Sequence, residues 1–390
     1  MVRNSIIWII GFVIAITSGV TAMGAIAKNK APELAIILSP TNGFAAEKIA
    51  SNSMNTAIAG NSGHFPDNVS PNATEFARSA FIAEPITPEA IAILALGEAG
   101  NEKDKLMSEA LLLSRRQPLV TAWMIADSGV REDMPALLSH YDAMLRTSSS
   151  AAVVVIPVLA KALANDDFVP PFASLLAKQP PWANQFWRAV VDTPEALGNA
   201  ARLREMVYKP NENDNIYYDA LLIRALVNNQ QFDAAEALYY HLESQNRGSS
   251  LLKNASFTME PEYAPIDWQL FSTGEYGAVV TDGKLQLSAI RNSGGLFVRQ
   301  LVKLPAEIVT MGINPGDPIP DNAEIIVSLK CAQTIKDAPQ TIRIPLKRQI
   351  TNLQIDNKSS GCSFYWFDIT GHASGNGDGF DVALDSISLR

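Results

Sequence analysis

The sequence predicts a multidomain chain of mixed α and β class, with helices first and an antiparallel β-sandwich last. From residue 87 to about residue 245, apolar side chains recur at helical spacing, which is typical of helices that bury one face. After about Gly248 the period changes to two, and Gly, Asn, Asp and Pro separate short alternating runs. With 390 residues, 47% of them hydrophobic, the chain is long enough for two or three ordinary domains.

The charge balance excludes one large class of partner. Lys and Arg number 31 against 40 Asp and Glu, which gives a formal net charge of −9. A protein whose main ligand is a phosphate backbone needs the opposite sign. We therefore predict no nucleic-acid partner.

Residues 1–30 are predicted to form a membrane anchor or a signal segment. Residues 5–27 carry no charge and are flanked by Arg3 and Lys28. This length is enough for a helix to cross a bilayer, which takes roughly 20 apolar residues. The segment also ends Ala-Ile-Ala at residues 25–27, which resembles a cleavage site, so a cleaved signal peptide is the alternative. In both cases we expect the bulk of the chain to lie in the periplasm of a Gram-negative cell. Of the two alternatives, we favour an uncleaved, single-pass anchor in the inner membrane.

Residues 31–84 are predicted to be a short helix followed by a flexible spacer. Apolar residues near the start recur at helical spacing. From residue 51 onward Ser, Asn, Gly and Pro replace that pattern, as in linkers.

Residues 85–247 are predicted to be a helical domain with degenerate repeats. The segment 218–238 resembles one tetratricopeptide repeat, since a Leu-rich helix, a polar turn, an aromatic residue and an Ala-Ala pair follow one another. Weaker copies are residues 90–113 and 120–145. The resemblance implies a helical solenoid with a concave surface for a protein partner. A plain helical bundle without repeats is the alternative.

Residues 248–390 are predicted to be the β-sandwich. Seven short alternating runs separated by turn residues indicate this architecture. They are Gly277–Val280, Lys284–Ala289, Leu296–Val302, Glu324–Cys331, Thr341–Leu346, Cys362–Ile369 and Asp381–Leu389. The two cysteines, Cys331 and Cys362, both lie in this domain, and in an oxidising compartment such a pair predicts a disulfide. Ordinary buried thiols are the alternative.

The sandwich resembles the galactose-binding-like jelly roll of many carbohydrate-binding modules. The resemblance lies in an Asn-x-x-Phe start at residues 254–257, a following Trp268, and an Asp-x-hydrophobic pattern in the last strand, residues 380–389. It covers about a third of the chain and implies a polysaccharide ligand. The order of anchor, helices and sandwich, together with the segments 141–147 and 298–301, is similar to a set of alphaproteobacterial envelope proteins.

Sugar recognition needs flat aromatic faces beside amides, carboxylates or arginine. The candidate sugar-binding residues are Trp268, Tyr276, Arg299, Tyr365 and Asp381. Core packing is the alternative for Trp268 and for Trp366, because residues alternate between faces along a strand and one set must face inward. Arg299 is harder to bury, so we expect it to meet a ligand or an acidic partner.

No catalytic or metal-ligating pattern is present in the sequence. The four His residues have no ligand spacing, and neither nucleophile motifs nor phosphate-binding loops occur. We therefore predict no enzyme activity, no cofactor and no metal. The first hypothesis is a periplasmic scaffold whose helices bind a protein and whose sandwich binds a glycan, in polysaccharide assembly or export. The alternatives are an assembly factor whose sandwich binds no sugar and a cryptic glycan hydrolase.

Overall fold

The structure, a computed structural model, describes residues 2–61, 64–114, 116–209, 216–243, 250–336, 339–346, 351–357, 361–374 and 378–390. Their contacts divide the chain into two compact units, Met1–Val155 and Ile156–Arg390. The division lies inside the predicted helical domain, so the second unit holds both helices and the predicted sandwich. The domain boundary at residues 247 and 248 stays a prediction, although the last described helix and the first strand lie on either side of it.

The described part of the first unit is helical. Its helices are α1 (Val2–Ala27), α2 (Pro32–Leu38), α3 (Gly43–Gly60), α4 (Pro71–Ala83), α5 (Pro88–Leu96), α6 (Asn101–Leu113), α7 (Pro118–Val130) and α8 (Met134–Thr147), and α9 (Ser149–Ala162) crosses the division. Among the described residues, no helix combines the length and the apolar character that crossing a membrane requires.

Helices α3 and α4 occupy much of the region expected to be a flexible spacer. The side chain of Ser70 accepts a hydrogen bond from the backbone N–H of Ala73, and Pro71 follows it in the first turn of α4. Ala73, Ala77 and Ala80 are fully buried at helical spacing. We predicted a flexible spacer from the Ser and Asn content of this region. The structure instead has helices here, because the alanine stripe lets α4 pack closely against α3.

Each segment that resembles a repeat forms a pair of adjacent helices. In the first unit α5 packs against α6, and α7 packs against α8. In the second unit α13 (Ile216–Asn228) packs against α14 (Phe232–Leu242), and Gln230 in the turn between them has a positive φ of 58°. A helical hairpin is the unit of a tetratricopeptide array, but it also occurs in plain bundles. The assignment to that repeat family stays a prediction.

The described residues after position 250 form two antiparallel sheets of five strands each. The strands are β1 (Gln269–Leu270), β2 (Tyr276–Thr281), β3 (Lys284–Ile290), β4 (Gly294–Lys303), β5 (Ile308–Pro315), β6 (Ala323–Cys331), β7 (Ile342–Pro345), β8 (Thr351–Asp356), β9 (Phe364–Ala373) and β10 (Gly379–Leu389). One sheet has the order β1-β4-β9-β6-β7 and the other has the order β2-β3-β10-β5-β8. The predicted combination of helices with a β-sandwich is confirmed.

The core of the sandwich lies between the two sheets. Phe297 and Phe367 reach it from the first sheet, while Leu287 and Leu384 reach it from the second, and all four are fully buried. Burying side chains of this size contributes roughly 1.5 to 3 kcal/mol each. The predicted disulfide between Cys331 and Cys362 is present and joins the end of β6 to the residues just before β9.

The remaining helices of the second unit are α10 (Val169–Leu176), α11 (Ala183–Val191) and α12 (Leu197–Val207). Helix α14 packs on the sandwich itself. The ring of Phe232 lies 5.2 Å from that of Phe364, centroid to centroid, and Lys303 donates to Asp233 over 2.6 Å. Because these contacts cover part of one sheet, the sandwich and this helix are best studied together.

Candidate functional site

Two of the five predicted sugar-binding residues lie in the core of the sandwich. Trp268 is 1% exposed, and its indole N–H donates to the backbone carbonyl oxygen of Asn254 over 3.1 Å. Tyr365 is 3% exposed, and its hydroxyl donates to Asn357 Oδ1 over 2.7 Å. A sugar ring needs an exposed aromatic face for stacking, and neither ring offers one. The core alternative is therefore confirmed for Trp268, and Tyr365 packs in the same core.

Tyr276 and Asp381 lie at one cleft, which opens on the second sheet. The cleft has a volume of about 990 Å³ and is lined by β2, β3, β10 and the residues that precede β2. Tyr276 is half-buried at its edge and packs against the ring of Phe297 at 5.2 Å between centroids. Asp381 is exposed on the floor of the cleft.

The strand register places a group of polar side chains beside Asp381. Asp381 on β10 is directly opposite Ser288 on β3, and Gln286 lies two residues further along the same strand. Burial along β3 alternates, with Gln286, Ser288 and Ile290 exposed and the residues between them buried. A carboxylate, a hydroxyl and an amide therefore share one exposed surface.

Two glycines shape the cleft. A Cβ on Gly277 would lie 2.7 Å from Ser272 Oγ, where the chain before β2 folds back on that strand. Gly379 has a φ of 114°, and a Cβ there would lie 2.3 Å from the carbonyl oxygen of Ala289. Such close approaches exclude any larger residue without a local shift.

The cleft has a negative charge. Glu275, Asp317, Asp378 and Asp381 line it, and none of the described residues that line it is Lys or Arg. An anionic ligand would be repelled here, whereas hydroxyl groups find both donors and acceptors. Among the residues that the structure describes, no group of three or more His, Cys, Asp or Glu side chains is arranged to hold a metal ion.

Arg299 lies on the other sheet, away from this cleft. Its Nε donates to Asp368 Oδ1 over 2.7 Å and its Nη2 donates to Asp368 Oδ2 over 2.9 Å. These hydrogen bonds to Asp368 raise the pKa of the Arg299 guanidinium, although partial burial opposes them. The guanidinium carbon also lies 4.8 Å from the ring centroid of Trp366, which is half-buried. Arg299 thus meets an acidic partner within its own domain, Asp368, which was not among the residues predicted from the sequence.

The five predicted residues therefore do not form a single site. Trp268 and Tyr365 lie between the sheets, Tyr276 and Asp381 lie at the cleft, and Arg299 lies on the opposite sheet. Gln286 and Ser288 were not among the residues predicted from the sequence. Their alternation with Leu285 and Leu287 was a usable signal, since it places both polar side chains on the exposed face.

Comparisons with known proteins give no family. No protein-family model matches the chain, and no curated protein matches it. Among solved structures, one that resembles it is TmCBM61 in complex with β-1,4-galactotriose, at 15% identity over 37% of this chain and 99% of that chain, with a TM-score of 0.25. Another is described as CBM4 structure and function, at 12% identity over 35% of this chain and 98% of that chain, with a TM-score of 0.23. At these scores neither likeness carries weight for the function of this chain, which rests on its own residues.

Proposed function

We propose that the sandwich is a non-catalytic glycan-binding domain and that an uncharged polysaccharide binds in the cleft over β2, β3 and β10. The observation that carries this proposal is the grouping of Asp381, Ser288 and Gln286 on one exposed surface. The carboxylate accepts hydrogen bonds from sugar hydroxyls, the amide both donates and accepts, and the serine hydroxyl does either. A specific saccharide site needs a few such groups in fixed positions.

Two aliphatic side chains support the same proposal. Val279 is 50% exposed and Ile290 is 54% exposed, and both line the cleft. They offer apolar contact to the C–H face of a sugar ring, in place of the aromatic stacking that Trp268 was expected to supply. The negative charge of the cleft disfavours acidic sugars, so the ligand class is a neutral one.

We further propose that the whole chain is an exported scaffold. The uncharged segment 5–27 and the disulfide between Cys331 and Cys362 both support export, because disulfides persist in oxidising compartments. In this proposal the bulk of the chain is periplasmic, residues 1–30 are a membrane anchor or a signal segment, and the helical hairpins bind a protein partner. The mass of the mature protein distinguishes the anchor from a signal peptide cleaved after residue 27.

Calorimetric titration of the full chain tests the glycan proposal. The probes are neutral hexasaccharides of the gluco, galacto, manno and xylo series. We expect one series to bind saturably and Gln286→Ala and Asp381→Ala to weaken it about tenfold each, since one hydrogen bond contributes roughly 1 to 2 kcal/mol. Ser388→Ala is the matched control, because it removes a polar group from the same strand outside the cleft.

Two results would contradict the proposal. Binding that survives both cleft substitutions would place the ligand elsewhere, and no heat with any series would remove the neutral-glycan assignment. New reducing ends in the titrated sample would instead indicate hydrolysis. The four carboxylates of the cleft make that assay worthwhile, since glycoside cleavage uses a pair of carboxyl groups roughly 5 to 10 Å apart.

A second candidate function is a protein-assembly factor whose sandwich binds no sugar. The burial of both Trp268 and Tyr365 favours it, because the aromatic residues expected to stack on a glycan serve the core. Under this hypothesis the chain would copurify with a periplasmic protein and give no heat with saccharides.

A further inference from the structure

The exposed face of the first sheet carries a cationic surface that is separate from the cleft. One row of residues runs across four neighbouring strands of this sheet. Arg299 on β4 is opposite Asp368 on β9. Ser328 on β6 is opposite Asp368 on one side and opposite Arg343 on β7 on the other. In the neighbouring row Trp366 on β9 pairs with Lys330 on β6. We call these two rows the basic face; its members are Arg299, Ser328, Lys330, Arg343, Trp366 and Asp368.

The basic face has the opposite sign to the protein as a whole. It holds three cations and one carboxylate in a chain whose net charge is −9. The carboxylate, Asp368, is 11% exposed and is already engaged by Arg299, whereas Lys330 and Arg343 are exposed. The next acid on the same side of β6 is Glu324, about 13 Å from Ser328 along the strand. A partner at this surface therefore meets net positive charge.

The spacing of the cations fits a polyanionic chain better than a single small anion. Arg299 and Arg343 lie three strands apart, which is about 14 Å, and Lys330 lies on a strand between them. A small ion such as phosphate would reach only one of them. A chain that carries carboxylates at intervals would reach several at once.

An indole ring among the cations narrows the class of partner. Trp366 is half-buried and the guanidinium of Arg299 packs on it, so the ring is held in place with part of its surface in contact with solvent. A sugar ring presents C–H groups that pack on such an apolar surface. Hydroxyls of the same sugar would find Ser328 and Thr370, both half-buried on this side of the sheet.

We propose that the basic face binds an acidic polysaccharide built from uronic acids. The sugar ring packs against Trp366, and its carboxylates pair with Lys330 and Arg343. This is a second binding site, which differs from the neutral-glycan cleft in position and in charge. The proposal does not depend on ligand binding in the cleft.

The test is a titration of the full chain with a hexamer of galacturonic acid, with a neutral glucan hexamer and with hexaglutamate as comparison probes. The double variant Lys330→Gln/Arg343→Gln should bind the uronate hexamer about tenfold more weakly, because each exposed ion pair contributes modestly. Wild-type binding should also weaken between 50 and 200 mM salt. The matched control is Lys161→Gln/Lys178→Gln, which removes the same two positive charges at exposed positions, one in α9 and one in the turn after α10.

Trp366→Ala separates sugar recognition from charge alone. It should weaken the uronate hexamer and leave hexaglutamate unchanged, with thermal unfolding measured to show that the variant is folded. The proposal is overturned if the double glutamine variant binds the uronate hexamer as well as wild type does. It is also overturned if hexaglutamate binds as tightly and both ligands respond equally to Trp366→Ala, which would indicate an acidic protein partner. Loss of neutral-glycan binding in Asp381→Ala bears only on the cleft.

Discussion

The two exposed faces of the sandwich differ in charge although they share one core. The cleft on the second sheet is lined by Glu275, Asp317, Asp378 and Asp381 without a described cation, whereas the basic face exposes Lys330 and Arg343 around Trp366. The two sheets contribute alternate residues to one interior, so their outward residues are free to differ. In our proposals this difference lets one small domain select two ligands of different charge.

Removing the tryptophan between the sheets should damage both faces together, which is the largest effect we expect. Trp268→Ala deletes an indole that packs on Phe257 and Phe367 and leaves a cavity. The free energy of unfolding should fall by about 3 to 5 kcal/mol. Chemical denaturation measures this change. A loss below about 1 kcal/mol together with abolished glycan binding would mean that Trp268 contacts the ligand rather than the core.

A buried carboxyl beside Trp268 should make stability depend on pH. Burial raises the pKa of Asp267 to about 6 from an ordinary 3.8, and the backbone N–H of Trp268, which donates to its Oδ1 over 2.7 Å, opposes that shift in part. The folded state therefore binds more protons than the unfolded state between about pH 4 and 6. The contribution of this group to stability is greatest below pH 4 and is lost as the pH rises through 6.

Asp267→Asn tests this pH dependence. In the wild type, ionisation of Asp267 lowers the free energy of unfolding as the pH rises from 4 to 6. The variant should lack this contribution, so the difference in free energy of unfolding between the two proteins should grow across that pH range. Because Gln269, two residues further on, pairs with Arg299, the change adjoins the basic face and not the cleft. Parallel pH profiles for the two proteins would contradict the raised pKa.

Neutralising the one carboxylate of the basic face should affect that face alone, and this is the smallest expected effect. Asp368→Asn keeps the shape of the side chain but removes the charge that Arg299 contacts. We expect a loss of about 1 kcal/mol in stability and uronate binding two- to threefold tighter, since repulsion of the ligand decreases. Neutral-glycan affinity in the cleft should not change. Weaker uronate binding would show that Asp368 is needed to hold Arg299 against Trp366.

The sequence predicted the fold further than it predicted the site. All seven predicted strands are present, because alternating burial is a local pattern. β5 was missed since Gly312 and Pro315 interrupt it, and β8 was missed because its sequence Thr-Asn-Leu-Gln-Ile-Asp is half polar. The α4 helix was missed because its polar residues resemble those of a linker.

The cleft and the basic face were harder to predict because both depend on pairing between distant strands. Arg299 and Asp368 lie 69 residues apart in sequence and meet only because β4 and β9 are neighbours. Alternation along β9 separates Tyr365 from Trp366, but it does not say which of the two faces inward. The structure supplies that choice, since Tyr365 is buried and Trp366 is half-buried on the outer face of the sheet.

The most direct test of the central claim is a competition titration on the full chain. The neutral hexasaccharide that binds is added to saturation, and the galacturonate hexamer is then titrated into the same sample. If the faces are separate sites, the uronate hexamer binds with unchanged affinity and the two occupancies add. If the bound neutral ligand prevents or weakens binding of the uronate hexamer, the two ligands share one site. The contrast between the cleft and the basic face is then wrong.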